Sequence, residues 1–158
     1  MKKQKEEFVQ LKTKNLPKKK IAFVGWKKVY LMNAKGNSIG YAIVKLHIPT
    51  SADRIQAKYE LLNDRNTLKK IRVSEAKVME IIPFDMFEYK VWNSTICGGY
   101  YTRKYKATKK TKAVSLFNND FEYKKGKILK EILDPRNIAC ASGIHCFALR
   151  SSAESYSY

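Results

Sequence analysis

The residues best suited to chemistry in this sequence are its cysteines and a histidine near the C-terminus. Cys97, Cys140, His145 and Cys146 carry the sulfur and nitrogen atoms that bind zinc tetrahedrally. Their spacing argues against zinc, because the five residues between Cys140 and Cys146 do not form a zinc-binding motif. His145 and Cys146 are neighbours, and neighbouring side chains on a strand point to opposite faces. We therefore expect no metal and interpret the cysteines as small buried apolar residues.

Nucleophilic catalysis is the second chemistry that these residues could support. A Cys/His pair needs a thiolate of low pKa within hydrogen-bond reach of its base. Adjacent positions do not supply that geometry for His145 and Cys146, and Cys97 could meet His145 only through the fold. The sequence has no glycine-rich phosphate loop, paired-carboxylate motif or Ser-His-Asp spacing. His145 is the single catalytic candidate, and we expect no cofactor and, on balance, no enzyme.

Residues 100–112 combine basic and aromatic side chains in a way that suits nucleic acid. The segment holds six basic residues, three tyrosines and no acidic residue. Aromatic rings stack on unpaired bases, and lysines neutralise phosphates. The alternative is an edge strand that lysines protect against aggregation, with its tyrosines packed on the core. The candidate residues for binding a polyanion are Lys18, Lys19, Lys20, Tyr101, Arg103, Lys104, Tyr105, Lys106, Lys109, Lys110 and Lys112.

Net charge is the most unusual compositional feature of the 158 residues. Thirty-two basic and fourteen acidic residues give +18, of which residues 1–20 carry +6. Such a field attracts nucleic acid, an anionic membrane surface or an acidic protein. The alternative is an AT-rich coding bias toward lysine, asparagine and isoleucine, with lysine also serving solubility. The charge therefore indicates a polyanion as a partner without identifying it.

Other features of the composition narrow the class of protein. No apolar run approaches the roughly 18 residues of a membrane span, and the N-terminus lacks the apolar stretch of a secretory signal. Three unevenly spaced cysteines do not form a disulfide framework and favour a reducing compartment. We expect an intracellular soluble protein that does not span a membrane and is not secreted.

The elements that position these residues are mostly short strands. We expect a basic arm over residues 1–20, with one short helix over 4–12, and a single globular β-rich domain over 21–158. Strands are predicted over 21–32, 39–48 and 73–82, the last ending before Pro83. Within 39–48, Ala42, Val44, Leu46 and Ile48 are predicted to point to one face, and Lys45 and His47 to the other. An aromatic segment is predicted to line the core with Phe84, Met86, Phe87, Tyr89, Val91 and Trp92.

The C-terminal part continues this β pattern. Residues 121–129, interrupted at Gly126, predict a hairpin, and Gly143 predicts a turn before a buried strand over 144–148. Ser151 and Glu154 have the spacing of a capping box at a helix start. We therefore predict a mainly β fold within the α+β class, built as one short-stranded domain.

Four stretches are distinctive in combination. They are Val-Lys-Leu-His-Ile-Pro at 44–49 with Ala52 and Arg54, Lys-Ile-Arg-Val-Ser-Glu-Ala-Lys-Val-Met-Glu-Ile at 70–81, Phe-Glu-Tyr-Lys-Lys-Gly-Lys at 121–127, and Cys-Ala-Ser-Gly-Ile-His-Cys-Phe at 140–147 with Ala153 and Tyr156. Together they resemble an uncharacterised domain of large DNA viruses and phages, sometimes found beside pentapeptide repeats. That family closes on Cys-x-x-Gly-Ile-His-Phe-Phe and then Ala-x-x-Tyr. Cys146 here replaces a Phe, Ile71 replaces a Cys, and residues 83–112 are this chain's own elaboration. The resemblance implies a viral origin and no particular activity.

The same ending is also similar to the second signature of ADP-ribosyltransferases. This similarity implies a split sheet in which His145 faces a nicotinamide and the Ser152/Ala153 region opens a helix. That superfamily also uses a glutamate on a later strand, which we do not expect in a chain ending at Tyr158. The alternative function is thus an ADP-ribosyltransferase-like domain that binds NAD or another nucleotide near His145.

The leading hypothesis is a small, basic, non-enzymatic viral protein that acts as a binding or structural module. It would be a minor virion component or a host-directed accessory factor, located in the virion or the cytoplasm of the infected cell. Its expected partners are nucleic acid or another polyanion, and a viral or host protein.

Overall fold

Short antiparallel strands account for most of the ordered elements of this chain. A computed structural model describes residues 5–56, 69–92, 98–118, 120–136 and 141–156, with twelve strands and one helix in these ranges. The strands are β1 (Val9–Gln10), β2 (Phe23–Met32), β3 (Ser38–Ile48), β4 (Arg54–Gln56), β5 (Ile71–Val73), β6 (Glu75–Met86), β7 (Glu88–Trp92), β8 (Tyr100–Lys104), β9 (Lys112–Val114), β10 (Glu122–Tyr123), β11 (Ile128–Lys130) and β12 (Ile144–Cys146), and the helix is α1 (Arg150–Ser155). The fold is thus mainly β, a small single domain with several antiparallel sheets, as the sequence predicts.

The long β2–β3 hairpin forms the centre of the largest sheet. The predicted alternation in β3 is confirmed, because Ala42, Val44, Leu46 and Ile48 are completely buried. The connecting turn is held by Asn33, whose Oδ1 accepts hydrogen bonds from the backbone N–H groups of Lys35 and Asn37. On β2 the core face carries Phe23, Val29 and Leu31. Residues of that face alternate with Val24 and Trp26, which belong to a second apolar cluster.

This sheet curls until its two outer strands approach one another. Its order is β10-β9-β2-β3-β6-β11, so β10 and β11 are at opposite ends. A flat sheet would separate them by about 24 Å. Tyr123 and Ile128 are only five Cα steps apart, which allows at most about 19 Å. Register shifts within the β2–β3 and β3–β6 pairings give the strands the bends that this curvature needs.

The hairpin predicted over residues 121–129 is therefore wrong. Both strands form where expected, but β10 pairs with β9 and β11 pairs with β6 instead of with each other. Residues 124–127 join the two ends of the curled sheet. The local pattern of strand, glycine turn and strand was correct, while the pairing partners were set by the long-range curvature.

A second sheet, ordered β12-β5-β4, lies against the first. The two are joined at Trp26 and Phe147, whose backbones exchange hydrogen bonds of 2.9 and 2.7 Å. Gly25 allows this approach, since a Cβ there would lie 2.8 Å from Ile48 Cδ1 and 2.9 Å from Cys146 Sγ. Packing of the two sheets encloses the main core.

Arg72 on β5 is the largest fully buried side chain among the described residues, with 1% of its surface exposed. Its Nη1 donates to the backbone oxygens of Asp134 and Ser142, each at 2.9 Å, and its Nη2 donates to the backbone oxygen of Arg136. The guanidinium thus satisfies carbonyls on the chain that leads from β11 to β12. Gly143 beside it has φ 141°, as the predicted turn requires, and a Cβ there would meet Leu133 Cδ1 at 2.8 Å.

Strand β6 does not end at Pro83 as predicted but continues to Met86. Pro83 is tolerated because β11 pairs only with Glu75, Ala76 and Lys77, so the far part of β6 has β3 alone as its strand neighbour. The aromatic segment that follows does not line the core throughout. Phe84 on β6 is 40% exposed. Trp92 is 56% exposed, since β7 pairs with β8 as a separate two-stranded sheet.

The N-terminal segment differs from the short helix predicted over residues 4–12. Its described part is extended and forms β1, which pairs in parallel with Phe23 and Val24 of β2. Phe8 stacks on His47 with ring centroids 4.1 Å apart, and Leu11 is buried. Apolar contacts with the sheet outweigh the helical pattern of these residues. The boundary between arm and domain at residue 20 stays a prediction.

The chain returns through β12 into α1. The buried strand predicted over residues 144–148 is present as β12 and the Phe147 bridge. The predicted capping box is wrong, because the N-cap is Leu149, two residues before Ser151, and it makes no side-chain cap. Ser151 is inside the helix, and Glu154 instead accepts a hydrogen bond from Arg150 Nε at 2.8 Å. The one helix in the described ranges, α1, lacks the length and apolar character of a membrane span.

Candidate functional site

The two-stranded sheet of β7 and β8, here called the ribbon, presents one fully exposed face. Directly opposed pairs place Lys90 beside Thr102 and Trp92 beside Tyr100. Trp92 is 56% exposed and Tyr100 is 69% exposed, with ring centroids 4.8 Å apart at an interplanar angle of 68°. The ribbon face consists of Glu88, Lys90, Trp92, Tyr100, Thr102 and Lys104, all exposed. Two large aromatic rings in solvent are unusual, because such rings are normally buried. They form the end pair of the ribbon face, next to Lys90 and Thr102.

The opposite side of the ribbon is partly covered. Tyr101 and Arg103 lie here, with the Arg103 guanidinium 4.9 Å from the centroid of the Tyr101 ring. Tyr105 packs against the core and stacks near Tyr89, with centroids 4.3 Å apart. Both predicted aromatic candidates, Tyr101 and Tyr105, are thus on the covered side. Trp92 and Tyr100, which were not among the candidates, are on the exposed side. Counting alternate residues on both strands could have identified Trp92, Tyr100 and Lys90.

The predicted basic residues of the ribbon and the loop after it remain in solvent. Lys104 is 3.4 Å from Glu88 in an exposed ion pair. Lys106, Lys109, Lys110 and Lys112 are exposed, and none of them forms an ion pair with a described residue.

Lys18, Lys19 and Lys20 are exposed on another part of the molecule. Lys20 Nζ is 3.7 Å from Asp53 Oδ1. Lys18 and Lys20 line a hollow of about 510 Å³ together with Arg54. No ribbon residue lines this hollow, so the structure does not bring these lysines and the ribbon into one site.

A cavity of about 370 Å³ lies where the two ends of the curled sheet meet β12. It is lined by Lys27, Lys70, Ser115, Phe117, Asn118, Phe121, Tyr123, Glu131, Ala141, Gly143, Ile144 and His145. Lys27 shares the core face of β2 with Phe23, Val29 and Leu31 because all four have odd positions on the strand. Its ammonium group is thereby directed inward. That parity was available in the sequence, but lysine in a strand is normally interpreted as a surface residue.

Lys27 and Lys70 are each 9% exposed. Lys27 Nζ donates to the backbone oxygen of His145 at 3.2 Å, and Lys70 Nζ donates to Tyr156 Oη at 3.2 Å. Both ammonium groups lie over rings, Lys27 at 5.9 Å from the Tyr123 centroid and Lys70 at 4.7 Å from the Tyr156 centroid. Burial, with the nearby Lys70 charge, lowers the pKa of Lys27 to about 8.

His145 lines the cavity but is poorly suited to catalysis at neutral pH. Its Nε2 is 2.9 Å from the backbone oxygen of Ala141. A carbonyl oxygen can only accept, so Nε2 carries the proton and Nδ1 is the free nitrogen of the neutral ring. Burial, and then the Lys27 charge, lowers the pKa of His145 to about 4. The ring is therefore neutral near pH 7 and a weak base.

The neighbouring thiol is no better placed as a nucleophile. Cys146 is 1% exposed within the core, and burial raises the pKa of its thiol to about 12. Cys97 and Cys140 lie outside the described residues. Within the part of the chain that is described, no three His, Cys, Asp or Glu side chains group as a metal site would require.

Fold and site together define a small antiparallel β domain with an exposed basic-aromatic face and a lysine-lined internal cavity. The chain belongs to a family of unknown function (DUF5758), whose model matches residues 13–153. Neither the curated proteins nor the solved structures include a match to this chain. Membership in an uncharacterised domain family agrees with the sequence prediction, and the viral origin stays a prediction.

Proposed function

We propose that this protein is a non-enzymatic binding module that holds single-stranded nucleic acid on its ribbon face. The observation that carries the proposal is the pair of exposed rings, Trp92 and Tyr100, with Lys90 in the next pair of the ribbon face and Lys104 one pair further along. Exposed aromatic rings offer stacking surfaces for unpaired bases regardless of sequence, while the adjacent lysines neutralise phosphates. In the viral setting that the sequence resemblance implies, such a module would serve in the virion or in the infected cytoplasm.

The charge around the ribbon favours a polyanion. The ribbon face has Glu88 as its one acidic residue, and Lys106, Lys109, Lys110 and Lys112 follow in solvent. A net charge of +18 would accelerate association with any polyanion, including duplex DNA and acidic proteins. The rings are what distinguish a single strand, because a duplex keeps its base faces stacked internally.

Fluorescence anisotropy with thymidine and uridine oligonucleotides, and with a duplex of equal length, tests the proposal. We expect the single strands to bind more tightly than the duplex. Trp92→Ala combined with Tyr100→Ala should weaken single-strand binding by at least about 30-fold, since each stacked base contributes about 1–3 kcal/mol and two rings are removed. Phe84→Ala, which removes an exposed ring outside the ribbon, should leave affinity unchanged. Equal binding of duplex and single strand, with no effect of the double variant, would overturn the proposal.

The electrostatic part is tested separately through the salt dependence of binding. Replacing Lys109, Lys110 and Lys112 by Gln should reduce the log–log salt slope by about 2 if all three contact phosphates of a single strand. Replacing the exposed Lys77, Lys124 and Lys125 by Gln changes the net charge equally at other places on the molecule. An equal loss of slope in both triple variants would indicate a general charge effect. Binding of an acidic protein partner that is insensitive to Trp92 would favour a protein-binding module instead.

A further inference from the structure

We propose that the cavity between β2, β10 and β12 is a binding site for a nucleoside monophosphate, with the phosphate on Lys27 and Lys70 and the base against Phe121 and Tyr123. None of these residues belongs to the ribbon. The site is therefore separate from the single-strand surface and would bind a small molecule.

Two buried cations without an anion are the main evidence. Among the described residues, neither Lys27 nor Lys70 has a carboxylate within the 4.0 Å of an ion pair. Their hydrogen-bond acceptors are neutral, a backbone oxygen and a tyrosine hydroxyl. Buried charges are normally paired, because their desolvation is otherwise uncompensated. The depressed pKa of Lys27, caused first by burial and then by Lys70, reflects this unfavourable arrangement. A bound phosphate would compensate both charges at once.

The remaining walls indicate what else the ligand carries. Phe121 and Tyr123 form an aromatic corner, with ring centroids 5.2 Å apart at 60°. Such a corner suits a flat ring more than a simple inorganic anion. Glu131 also lines the cavity, without an ion pair to either lysine. Its carboxylate would repel a ligand that is anionic throughout and would accept hydrogen bonds from hydroxyl or amino groups. A nucleoside monophosphate combines an anionic end, a flat ring and such donors.

Volume is consistent with this class of ligand. The cavity of about 370 Å³ falls within the roughly 300–1,000 Å³ of small-molecule sites. The alternative inferred from the ADP-ribosyltransferase resemblance, NAD near His145, would use the same cavity and is distinguished by the experiment below.

Isothermal titration calorimetry with the four nucleoside 5′-monophosphates, adenosine, inorganic phosphate and NAD tests the inference on the full chain. We expect at least one monophosphate to bind saturably and at least tenfold more tightly than both adenosine and phosphate. Lys27→Met and Lys70→Met should each weaken that binding at least tenfold, whereas Lys35→Met in the exposed β2–β3 turn should not. No saturable binding up to about 5 mM would overturn the site.

Two other outcomes would each overturn one part of the proposed binding mode. Equal affinity for phosphate and monophosphate would exclude the aromatic contact. Tighter binding of NAD, lost in His145→Ala, would replace the mononucleotide with a dinucleotide. The Trp92→Ala/Tyr100→Ala variant should retain full monophosphate affinity, so a failure of the ribbon proposal and a failure of the cavity proposal are distinguishable.

A measurement that needs no substitution complements these variants. At pH 8 about half of the Lys27 side chains are uncharged, since the pKa is about 8. Phosphate binding favours the charged form, so binding should take up a fraction of a proton, detected as a dependence of the heat on buffer ionisation enthalpy. Of the other titratable groups at the cavity, His145 has its pKa lowered to about 4 and Tyr123 has its pKa raised by burial, so neither titrates in this range. Lys70 and Glu131 also face the cavity, and loss of the uptake in Lys27→Met assigns it to Lys27. Binding without proton uptake at pH 8 would overturn the contact with Lys27.

Discussion

The ribbon and the cavity place lysines in opposite environments. On the ribbon face, Lys90 and Lys104 remain in water, where a charge is well solvated and interacts weakly with its neighbours. At the cavity, Lys27 and Lys70 are almost completely removed from water and lack an acidic partner among the described residues. The lysine charges of the ribbon therefore cost the folded protein little free energy and contribute to long-range attraction of a polyanion. The cavity has charges that destabilise the empty protein.

Arg72 adds a buried cation of a different kind to this comparison. Three of its five N–H groups donate to backbone carbonyls of three different residues. Its Nε alone has no partner among the described residues. A cation with such acceptors has a structural role, whereas a buried cation with few neutral acceptors indicates a place for an external anion. Measurements of stability should distinguish the ribbon, the unpaired lysines of the cavity and the hydrogen-bonded Arg72.

Arg72→Met should have the largest effect on stability. It removes three part-buried hydrogen bonds from the guanidinium to the carbonyls of Asp134, Arg136 and Ser142, each contributing about 1 kcal/mol. We expect the free energy of unfolding to fall by roughly 3 kcal/mol or more in urea denaturation. Arg150→Met removes a partly exposed ion pair with Glu154 and should cost less than about 1 kcal/mol. Similar losses in the two variants would contradict the structural role of Arg72.

Lys27→Met should change the free energy of unfolding in the opposite direction. Replacing an unpaired buried charge by an apolar chain of similar length should raise the free energy of unfolding by about 1–2 kcal/mol at pH 7. The pKa of Lys27 is about 8 when folded and about 10.4 when unfolded. Between these values the unfolded chain binds more protons, so wild-type stability gains with rising pH relative to the variant.

The advantage of Lys27→Met should therefore shrink between pH 8 and about pH 10.4. Denaturation of both proteins at several pH values in this range measures the difference. Cys146 and Tyr123, whose pKa values are raised by burial, lower stability in alkali in both proteins and cancel in the comparison. An advantage that does not change with pH would show that Lys27 keeps an ordinary pKa.

Trp92→Ala combined with Tyr100→Ala should have the smallest effect on stability. These rings contact each other across the ribbon and are mostly in solvent, so we expect a loss below about 1 kcal/mol. Thermal unfolding would measure it, with the circular dichroism spectrum confirming an intact fold. A large loss would indicate that the rings are part of the core, and their exposure could then not support nucleic-acid binding.

The sequence was sufficient to predict burial where the residues of one strand alone determine which of its faces is apolar. The alternation from Ala42 to Ile48 and the closing strand around Ile144 formed as predicted because their apolar residues decide which side is buried. It was insufficient where distant strands decide the environment. Trp92 is exposed because β7 pairs with β8 away from the main sheet, and no local pattern in residues 83–92 indicates that partner.

The cavity is the clearest case of this limit. Its lysines are far apart in sequence, on β2 and just before β5, and become neighbours only through the complete fold. Lys27 is separated from Val29 and Leu31 by two and four positions, so the sequence could place its side chain on the core face of β2. It could not show the cavity into which that side chain projects. That space depends on the curvature of the sheet. The sequence did not indicate this curvature, because residues 121–129 predicted a local hairpin instead.

The curled sheet has a consequence for the order in which the chain closes. Pairing β9 with β2, or β11 with β6, closes a loop of tens of residues at a substantial cost in chain entropy. Only residues 124–127 join β10 to β11. Whichever of the two pairings forms first therefore holds the strands of the other pairing close together. The second closure then involves a short loop, and the two become one cooperative step. Lys27 and Lys70 leave water in that same step, so a bound anion would stabilise the whole closure.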